Sequence, residues 1–261
     1  MQGKTLSIGL RAVLAIIAAT LFVTSTWATA QEKVLHNFNN NGTDGVSPQA
    51  GLIVDGAGNL YGTTSGGGTY NIGTVFELSP TADGGWMEKV LHNFNYNGTD
   101  GYFPSASLIF DKAGNLYSTT SYGGTYGYGT VFELSPKKGG DWTEKVLYSF
   151  DKNGTDGYGP GGGLIFDKAG NLYGTTFGGG TYDLGTAFEL SLTGNGGWTE
   201  WVLHSFNDNG TDGYSLMAGL IFDKAGNLYG TTDRGGAYNE GTVFKLTPIR
   251  PCVRCSHSVL P

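Results

Sequence analysis

Tyrosines recur in the loops of this sequence at fixed intervals, next to small polar side chains. They fall at two loop positions: Tyr70, Tyr126, Tyr182 and Tyr238 at the first, and Tyr102, Tyr158 and Tyr214 at the second. A tyrosine ring covers the apolar C–H face of a sugar, while neighbouring amides and carboxylates bind the sugar hydroxyls. The set therefore predicts a glycan-binding surface. In the alternative interpretation, the rings pack over neighbouring loops and shield their glycine-rich backbone.

A second recurring motif, Asn/Asp-x-Asn-Gly-Thr-Asp-Gly, begins at residues 39, 95, 151 and 207. Its third copy places Asp151, Asn153 and Asp156 at a spacing similar to that of a short calcium-binding loop. Calcium takes about six to eight oxygen ligands, usually with several carboxylates among them. Calcium is the one cofactor that the sequence suggests, but the motif offers fewer carboxylates than calcium usually takes. The favoured interpretation is a turn in which the Asn side chain bonds to the chain's own backbone.

Catalysis requires unlike groups placed asymmetrically around one substrate. The attractive groups here come in three or four near-identical copies, which suits multivalent binding. The residues that break the repeat in the tyrosine-bearing loops are Asp183, Asp233, Arg234 and Glu240. Two such carboxylates would serve a glycosidase or a lyase. The sequence thus favours a non-catalytic module, with a glycan-degrading enzyme as the alternative.

All of these residues belong to a unit that repeats every 56 residues, with starts at Gly51, Ser107, Gly163 and Gly219. Each copy contains four short runs rich in β-branched and aromatic residues, bounded by Gly, Asn, Asp or Pro, as β-strands are. In the second copy these are strand A (108–111), strand B (116–120), strand C (130–135) and strand D (145–150). Beyond the first thirty residues no stretch keeps an apolar period of about 3.6 residues for three turns. We therefore predict an all-β chain.

Four antiparallel strands in a repeat of this length predict a four-bladed β-propeller. The first strand, 34–38, matches strand D, and the last repeat stops one strand short, after residues 242–248. We expect the N-terminal strand to complete the last blade and to close the ring, which removes its free edges. The alternative is an incomplete ring, either a fragment of a longer array or a protomer that completes itself by self-association.

The strand order also assigns the loops to two faces. In an up-and-down antiparallel sheet, the D-to-A and B-to-C loops leave on one face and the A-to-B and C-to-D loops on the other. The tyrosine-bearing loops are the D-to-A and B-to-C loops, so we expect them to share one face, here called the loop face. Because binding residues usually lie on loops held by a rigid scaffold, the loop face is the candidate functional surface.

The other recurring side chains fit structural roles. Four aspartates open the A-to-B turn, where Asp caps backbone N–H groups: Asp55, Asp111, Asp167 and Asp223. Three tryptophans at the start of strand D are expected to pack between neighbouring repeats: Trp86, Trp142 and Trp198. Three histidines share their repeat position with Tyr148, which argues against a metal-binding or acid–base role: His36, His92 and His204.

The N-terminal residues have the pattern of an export signal. Lys4 and Arg11 flank the start of an apolar run over 12–23, and Ala28-Thr29-Ala30 resembles a signal-peptidase site. We predict a signal peptide over 1–30, with an uncleaved membrane anchor as the alternative. Loss of Lys4 and Arg11 takes the formal charge from −7 to −9. An acidic, secreted or cell-surface protein is not expected to bind nucleic acid, or to insert into a membrane once the leader is cleaved.

The repeat domain is predicted over 31–248, followed by an irregular tail over 249–261. In that tail, Cys252 and Cys255 form a Cys-x-x-Cys pair close to His257. Structural zinc usually needs four ligands. A local disulfide or a disordered end is therefore the favoured interpretation.

Written out, the repeat is Gly-Leu-Ile-Phe-Asp-x-Ala-Gly-Asn-Leu-Tyr-Gly-Thr-Thr, then Gly-Gly, then Gly-Thr-Val-Phe-Glu-Leu. It resembles the GloVer (Gloeo–Verruco) tandem repeat of secreted bacterial proteins, over residues 32–248. The resemblance implies a secreted, repeat-built β protein, in a family where some members carry a C-terminal surface anchor, and it brings no catalytic residues. The expectation is a non-catalytic extracellular module that recognises glycan or other cell-surface material, with a purely structural surface repeat as a further alternative.

Overall fold

The computed structural model describes residues 30–247. The predicted signal peptide, apart from Ala30, and the tail with Cys252 and Cys255 lie outside the described residues. The chain divides into two compact units, Met1–Val34 and Leu35–Pro261, and all of the strands belong to the second. The described residues contain strands and no helix, which confirms the all-β prediction. Accordingly, the described part of the chain has no helix able to span a membrane.

Most strands are short, and the longer ones are strands B and C of all four repeats and strand D of repeats 1 to 3. In chain order they are β1 (Gly45–Val46), β2 (Ile53–Val54), β3 (Leu60–Thr64), β4 (Gly66–Gly67), β5 (Thr74–Pro80), β6 (Trp86–Asn93), β7 (Gly101–Tyr102), β8 (Ile109–Phe110), β9 (Leu116–Thr120), β10 (Tyr122–Gly123), β11 (Thr130–Pro136), β12 (Trp142–Ser149), β13 (Gly157–Pro160), β14 (Ile165–Phe166), β15 (Leu172–Gly179), β16 (Thr186–Leu192), β17 (Trp198–Ser205), β18 (Gly213–Tyr214), β19 (Ile221–Phe222), β20 (Leu228–Thr232), β21 (Arg234–Gly235) and β22 (Thr242–Leu246).

The main sheets have the predicted up-and-down order of strands A, B, C and D. Repeat 1 is β2-β3-β5-β6, repeat 2 is β8-β9-β11-β12, repeat 3 contains β14-β15-β16-β17, and repeat 4 is β19-β20-β22. All of these pairs are antiparallel. The pairing of strands C and D shifts register at the same point in repeats 1 to 3. One local sequence therefore produces one local structure in each copy.

The A-to-B turn is closed by the aspartate that opens it. In repeat 2, Asp111 Oδ1 accepts the backbone N–H groups of Ala113 and Asn115, while Oδ2 accepts the Asn115 amide and the Tyr117 hydroxyl. Gly114 follows with φ at 87°, a left-handed conformation that glycine adopts without strain. The same bonds recur at Asp55, Asp167 and Asp223, which confirms the predicted structural role.

Neighbouring repeats bury a continuous apolar core between them. Each of three core clusters combines strand-D residues of one repeat with strands of the next. In the first of these clusters, Phe94 contacts Phe132 edge-on at 5.2 Å between ring centroids. Trp142 packs against the first cluster and Trp198 against the second, which confirms the predicted role for these two tryptophans.

The two ends of the array are open. Val243 in β22 is 82% exposed, whereas its counterparts Val75, Val131 and Ala187 are fully buried. At the other end, Leu52 is 51% exposed, while its counterparts Leu108, Leu164 and Leu220 are buried. Repeat 4 has no strand D among the described residues, and residues 34–38 form no strand. The described chain is thus an array of four sheets in which no closed ring is found.

Candidate functional site

The long loops lie together, as the strand order predicts. Part of each D-to-A loop pairs as a short antiparallel ladder with part of the following B-to-C loop, in β1–β4, β7–β10, β13–β15 and β18–β21. Most glycines of these ladders leave no room for a side chain; a Cβ on Gly101, for example, would lie 1.9 Å from Thr120 Oγ1. Each repeat therefore presents its two tyrosine-bearing loops as one packed unit on the loop face.

The two sets of tyrosines differ in exposure. Tyr70, Tyr126, Tyr182 and Tyr238 are each more than half exposed. The second set packs against neighbouring loops. Tyr102 stacks on Tyr122 at 5.8 Å, and the Lys152 ammonium lies 4.5 Å from the Tyr158 ring centroid. The Tyr214 hydroxyl donates to Asn239 Oδ1. The structure thus assigns the second set to loop packing and leaves the first set accessible.

One of the exposed tyrosines borders a surface cleft of about 490 Å³, lined by Tyr182, Leu184, Asn207, Asp208 and Asn209. The Asn207 carboxamide oxygen is buried and has no hydrogen-bond partner, which costs free energy. The cleft combines an aromatic ring with amide and carboxylate groups.

The motif considered for calcium forms a turn stabilised by its own side chains. Asn153 Oδ1 accepts the backbone N–H groups of Thr155 and Asp156 and the Thr155 hydroxyl. Asp156 points inward and accepts the Asp151 N–H and the Tyr148 hydroxyl at Oδ2. Asn41, Asn97 and Asn209 make the same bonds. These contacts are those of an Asx turn, and they occupy the Asn153 side-chain oxygen. Calcium binding at Asp151, Asn153 and Asp156 stays a prediction.

Two of the candidate catalytic carboxylates pair with basic side chains rather than with one another. Asp183 pairs with Lys152 at 3.3 Å and Asp233 with Arg234 at 3.3 Å, all four side chains being exposed. Among residues 30–247, no hydrogen bond or ion pair joins two of the carboxylates Asp183, Asp233 and Glu240. The φ of Asp183 is 60°, and Asn71 and Asn239 have the same conformation at the matching positions. Asp and Asn tolerate this left-handed region best among residues with a side chain. The backbone conformation therefore accounts for an Asp at position 183 without a catalytic role.

A group of ionisable residues between repeats was missed by reasoning from the sequence. Each cluster contains a His or Tyr, the Asp that ends the following Asx turn, and the Glu of the next strand D. The His or Tyr lies in a strand D, except in the first cluster, where it lies in the N-terminal segment 34–38. The three clusters are His36–Asp44–Glu88, His92–Asp100–Glu144 and Tyr148–Asp156–Glu200. They are here called the first, second and third carboxylate clusters. His92 Nε2 lies 3.1 Å from Asp100 Oδ2, and in the first cluster His36 Nε2 lies 3.3 Å from Asp44 Oδ2 and 3.8 Å from Glu88 Oε2.

Burial strongly affects the acids of these clusters. Desolvation, and then the charge of the neighbouring aspartate, raise the pKa of Glu88 and of Glu144 to about 7 and that of Glu200 to about 8. In the second and third clusters Asp100 Oδ1, Glu144 Oε1, Asp156 Oδ1 and Glu200 Oε1 are buried without a hydrogen-bond partner, as is Glu88 Oε1 in the first. Each cluster therefore holds acidic oxygens that their protein neighbours do not satisfy.

One sequence signal pointed to these clusters. Glu32, Glu88, Glu144 and Glu200 recur at the same position in the repeat. In β6 the exposure alternates so that Glu88 falls on the half-buried side with Trp86 and Val90. A charged residue on the inward side of a strand needs a partner. That partner comes from a loop of the preceding repeat, which the strand's own pattern does not reveal.

Comparison with known proteins agrees with the repeat structure. A search among curated proteins finds no match. A family model described as the Gloeobacter/Verrucomicrobia repeat matches residues 17–244, and this region contains nearly all of the four repeats. The expected family resemblance is thus confirmed: the chain belongs to the Gloeobacter/Verrucomicrobia repeat family.

Proposed function

We propose that this protein is a non-catalytic, secreted or surface-exposed module that binds extracellular glycan through its loop face. The observation that carries the proposal is the cleft in which exposed Tyr182 borders Asn207, Asp208 and Asn209. A sugar placed there stacks its C–H face on the ring and bonds its hydroxyls to the amide and carboxylate groups.

The repetition of the exposed tyrosine favours binding at several sites. Tyr70, Tyr126 and Tyr238 occupy the matching position in the other repeats and are also exposed. Weak sites on one rigid scaffold add by avidity when the ligand itself is repetitive. A polysaccharide is such a ligand. The proposed binding is therefore multivalent, with modest affinity for a single sugar.

A glycan-array screen followed by titration tests this function. Replacing Tyr70, Tyr126, Tyr182 and Tyr238 together with Ala is expected to abolish binding, and Tyr182→Ala alone to weaken it. Trp201→Ala is the matched control, because Trp201 is an equally exposed aromatic residue in strand D, away from the loops. Absence of glycan binding by the unmodified protein would overturn the proposal. Cleavage of a glycan that is lost in Asp233→Asn would favour the enzyme alternative.

We further propose that the four repeats are propeller blades that the N-terminal segment completes. Residues 32–39 are identical to residues 88–95, which contain most of strand D of repeat 1. Among the described residues β22 pairs with β20 alone, so its other edge lacks the strand D that repeats 1 to 3 have. Addition of this copy of strand D to β22 gives repeat 4 its missing strand and brings repeat 1 against Val243, as repeat 2 covers Val75.

Hydrogen exchange combined with light scattering tests the completion. Protected amides over 34–38 in a monomer support a closed four-bladed ring. Protected amides in a dimer or larger species support exchange of the strand between copies. Rapid exchange over 34–38 in every species would refute the pairing. Val243→Asp is expected to remove the protection in either case, while Met87→Asp, at a position of strand D that is exposed in repeats 1 to 3, is the control.

A further inference from the structure

The first and second carboxylate clusters have the donor atoms of a metal site. In each, a histidine nitrogen and two carboxylate oxygens, one from Asp and one from Glu, lie within 4.8 Å of one another. Zinc binds its nitrogen and oxygen ligands at about 2.0–2.2 Å. A small contraction of the cluster would therefore bring the three ligand atoms to the separations that they have around a zinc ion. The ligands come from different repeats: His92 lies in β6 and Glu144 in β12, the strands D of repeats 1 and 2.

A separate observation shows that the protein alone leaves these groups unsatisfied. Asp100 is only 4% exposed, and its Oδ1 has no hydrogen-bond partner. Its Oδ2 already serves His92 Nε2 and two donors of Asn95. Glu144 Oε1 is likewise buried and unpartnered. Buried carboxylate oxygens are normally paired or bound to a metal, so the second cluster presents two oxygens that need a cation or a proton.

We propose that the first and second carboxylate clusters each bind one divalent metal ion of the zinc type. One imidazole nitrogen with two carboxylates suits zinc, whereas calcium and magnesium prefer oxygen ligands alone. Three protein ligands leave a fourth position for water. Bound in this way, the metal joins the strands D of repeats 1 and 2 in the second cluster, and joins the segment carrying His36 and Asp44 to strand D of repeat 1 in the first.

The chain contains its own comparison for this proposal. In the third carboxylate cluster Tyr148 takes the place of the histidine, and its hydroxyl donates to Asp156 Oδ2 at 2.9 Å. A neutral phenol that donates a hydrogen bond is a poorer zinc ligand than an imidazole. At the junction of repeats 3 and 4, His204 Nε2 lies 2.8 Å from Asp212 Oδ2, with no glutamate beside them among the described residues. The expected stoichiometry from these clusters is therefore two ions in each chain.

The test is a zinc titration of the full chain by calorimetry and equilibrium dialysis. His36→Gln and His92→Gln are each expected to lower the bound zinc by one equivalent, because Gln keeps a donor for the aspartate but is a poor ligand. Tyr148→His is expected to add one equivalent. His204→Gln is the matched control and is expected to leave the stoichiometry unchanged. Differences between variants are the readout, so any zinc held by Cys252, Cys255 and His257, which every variant keeps, does not affect the result.

Equal zinc binding by the unmodified chain, His36→Gln and His92→Gln would overturn the proposal and leave a proton as the partner of the unpaired oxygens. If the glutamine variants fail to fold, Tyr148→His decides the question, and no added equivalent would then overturn it. A rise in the thermal midpoint with zinc that disappears in His92→Gln, but not in His204→Gln, supports a metal that joins the repeats.

Discussion

The unfolding free energy of the protein should fall as the solution becomes alkaline, and replacement of Glu200 by Gln should make this fall much smaller. Glu200 lies in β17, between repeats 2 and 3, in the third carboxylate cluster. Burial and the nearby Asp156 raise its pKa to about 8. Its neighbour Tyr148 donates to Asp156 and carries no positive charge. The folded protein therefore keeps a proton on Glu200 at neutral pH.

The direction of the effect follows from proton linkage. The ordinary glutamate pKa is 4.5 and the folded value is about 8, so the folded state binds more protons than the unfolded state between these values. Stability is then highest at low pH in this window, and it falls as the pH rises toward the folded pKa. At about 1.36 kcal/mol for each pKa unit, the loss between pH 5 and pH 9 is about 4 kcal/mol for this residue.

Urea unfolding at several pH values measures this loss. Glu200→Gln carries no titrating proton, so its unfolding free energy should fall by about 4 kcal/mol less than that of the unmodified protein between pH 5 and pH 9. Glu240→Gln, at an exposed loop position, is the control and should keep the original slope. An equal fall for Glu200→Gln and the unmodified protein would refute the assignment of a raised pKa to Glu200.

Three further predictions concern stability. Gly101→Ala should destabilise the protein by about 1–3 kcal/mol in urea unfolding, because its Cβ would overlap Thr120; Gly161→Ala, with open space around it, should be neutral. Asp111→Ala should cost about 1–3 kcal/mol through lost turn bonds to Asn115 and Tyr117, whereas the exposed Lys112→Ala should change little. Phe150→Ala should cost about 3–5 kcal/mol, because the ring is fully buried. Its counterpart Phe38 is half-buried where the array is open, so a loss for Phe38→Ala equal to that for Phe150→Ala would support the proposed ring closure, and a clearly smaller loss would contradict it.

Local structure was readable from the sequence because one hairpin is used four times. The Asp-x-Ala-Gly-Asn turn predicts both its left-handed glycine and its capping aspartate, and Asp111 with Gly114 has these roles. The strand order then placed the D-to-A and B-to-C loops on one face, and the ladder between β7 and β10 confirms this. Each of these inferences needed contacts within about thirty residues, where the alternation of side chains fixes the geometry.

The contacts between repeats could not be read in the same way. Sequence comparison of the copies pointed away from a metal-binding role for His92, because Tyr148 replaces it in the next copy. In the structure the two residues contact the equivalent aspartate through different groups. The Tyr148 hydroxyl donates a hydrogen bond to Asp156, whereas an imidazole nitrogen of His92 lies close to Asp100. A substitution between copies can therefore change the chemistry of one interface and leave the fold of the repeat intact.

The structure also separates two kinds of repeated tyrosine that the sequence treats alike. Tyr102 and Tyr158 lie in strands that pair with the adjacent loop, so their rings pack on neighbouring side chains. Tyr182 follows the paired segment and borders the Asn207–Asn209 turn, which comes after strand D of the same repeat. The cleft at Tyr182 and the carboxylate clusters both form where the segment after strand D meets another element. The cleft lies in repeat 3 and the second carboxylate cluster lies between repeats 1 and 2, so the proposals for glycan binding and for metal binding can be tested independently.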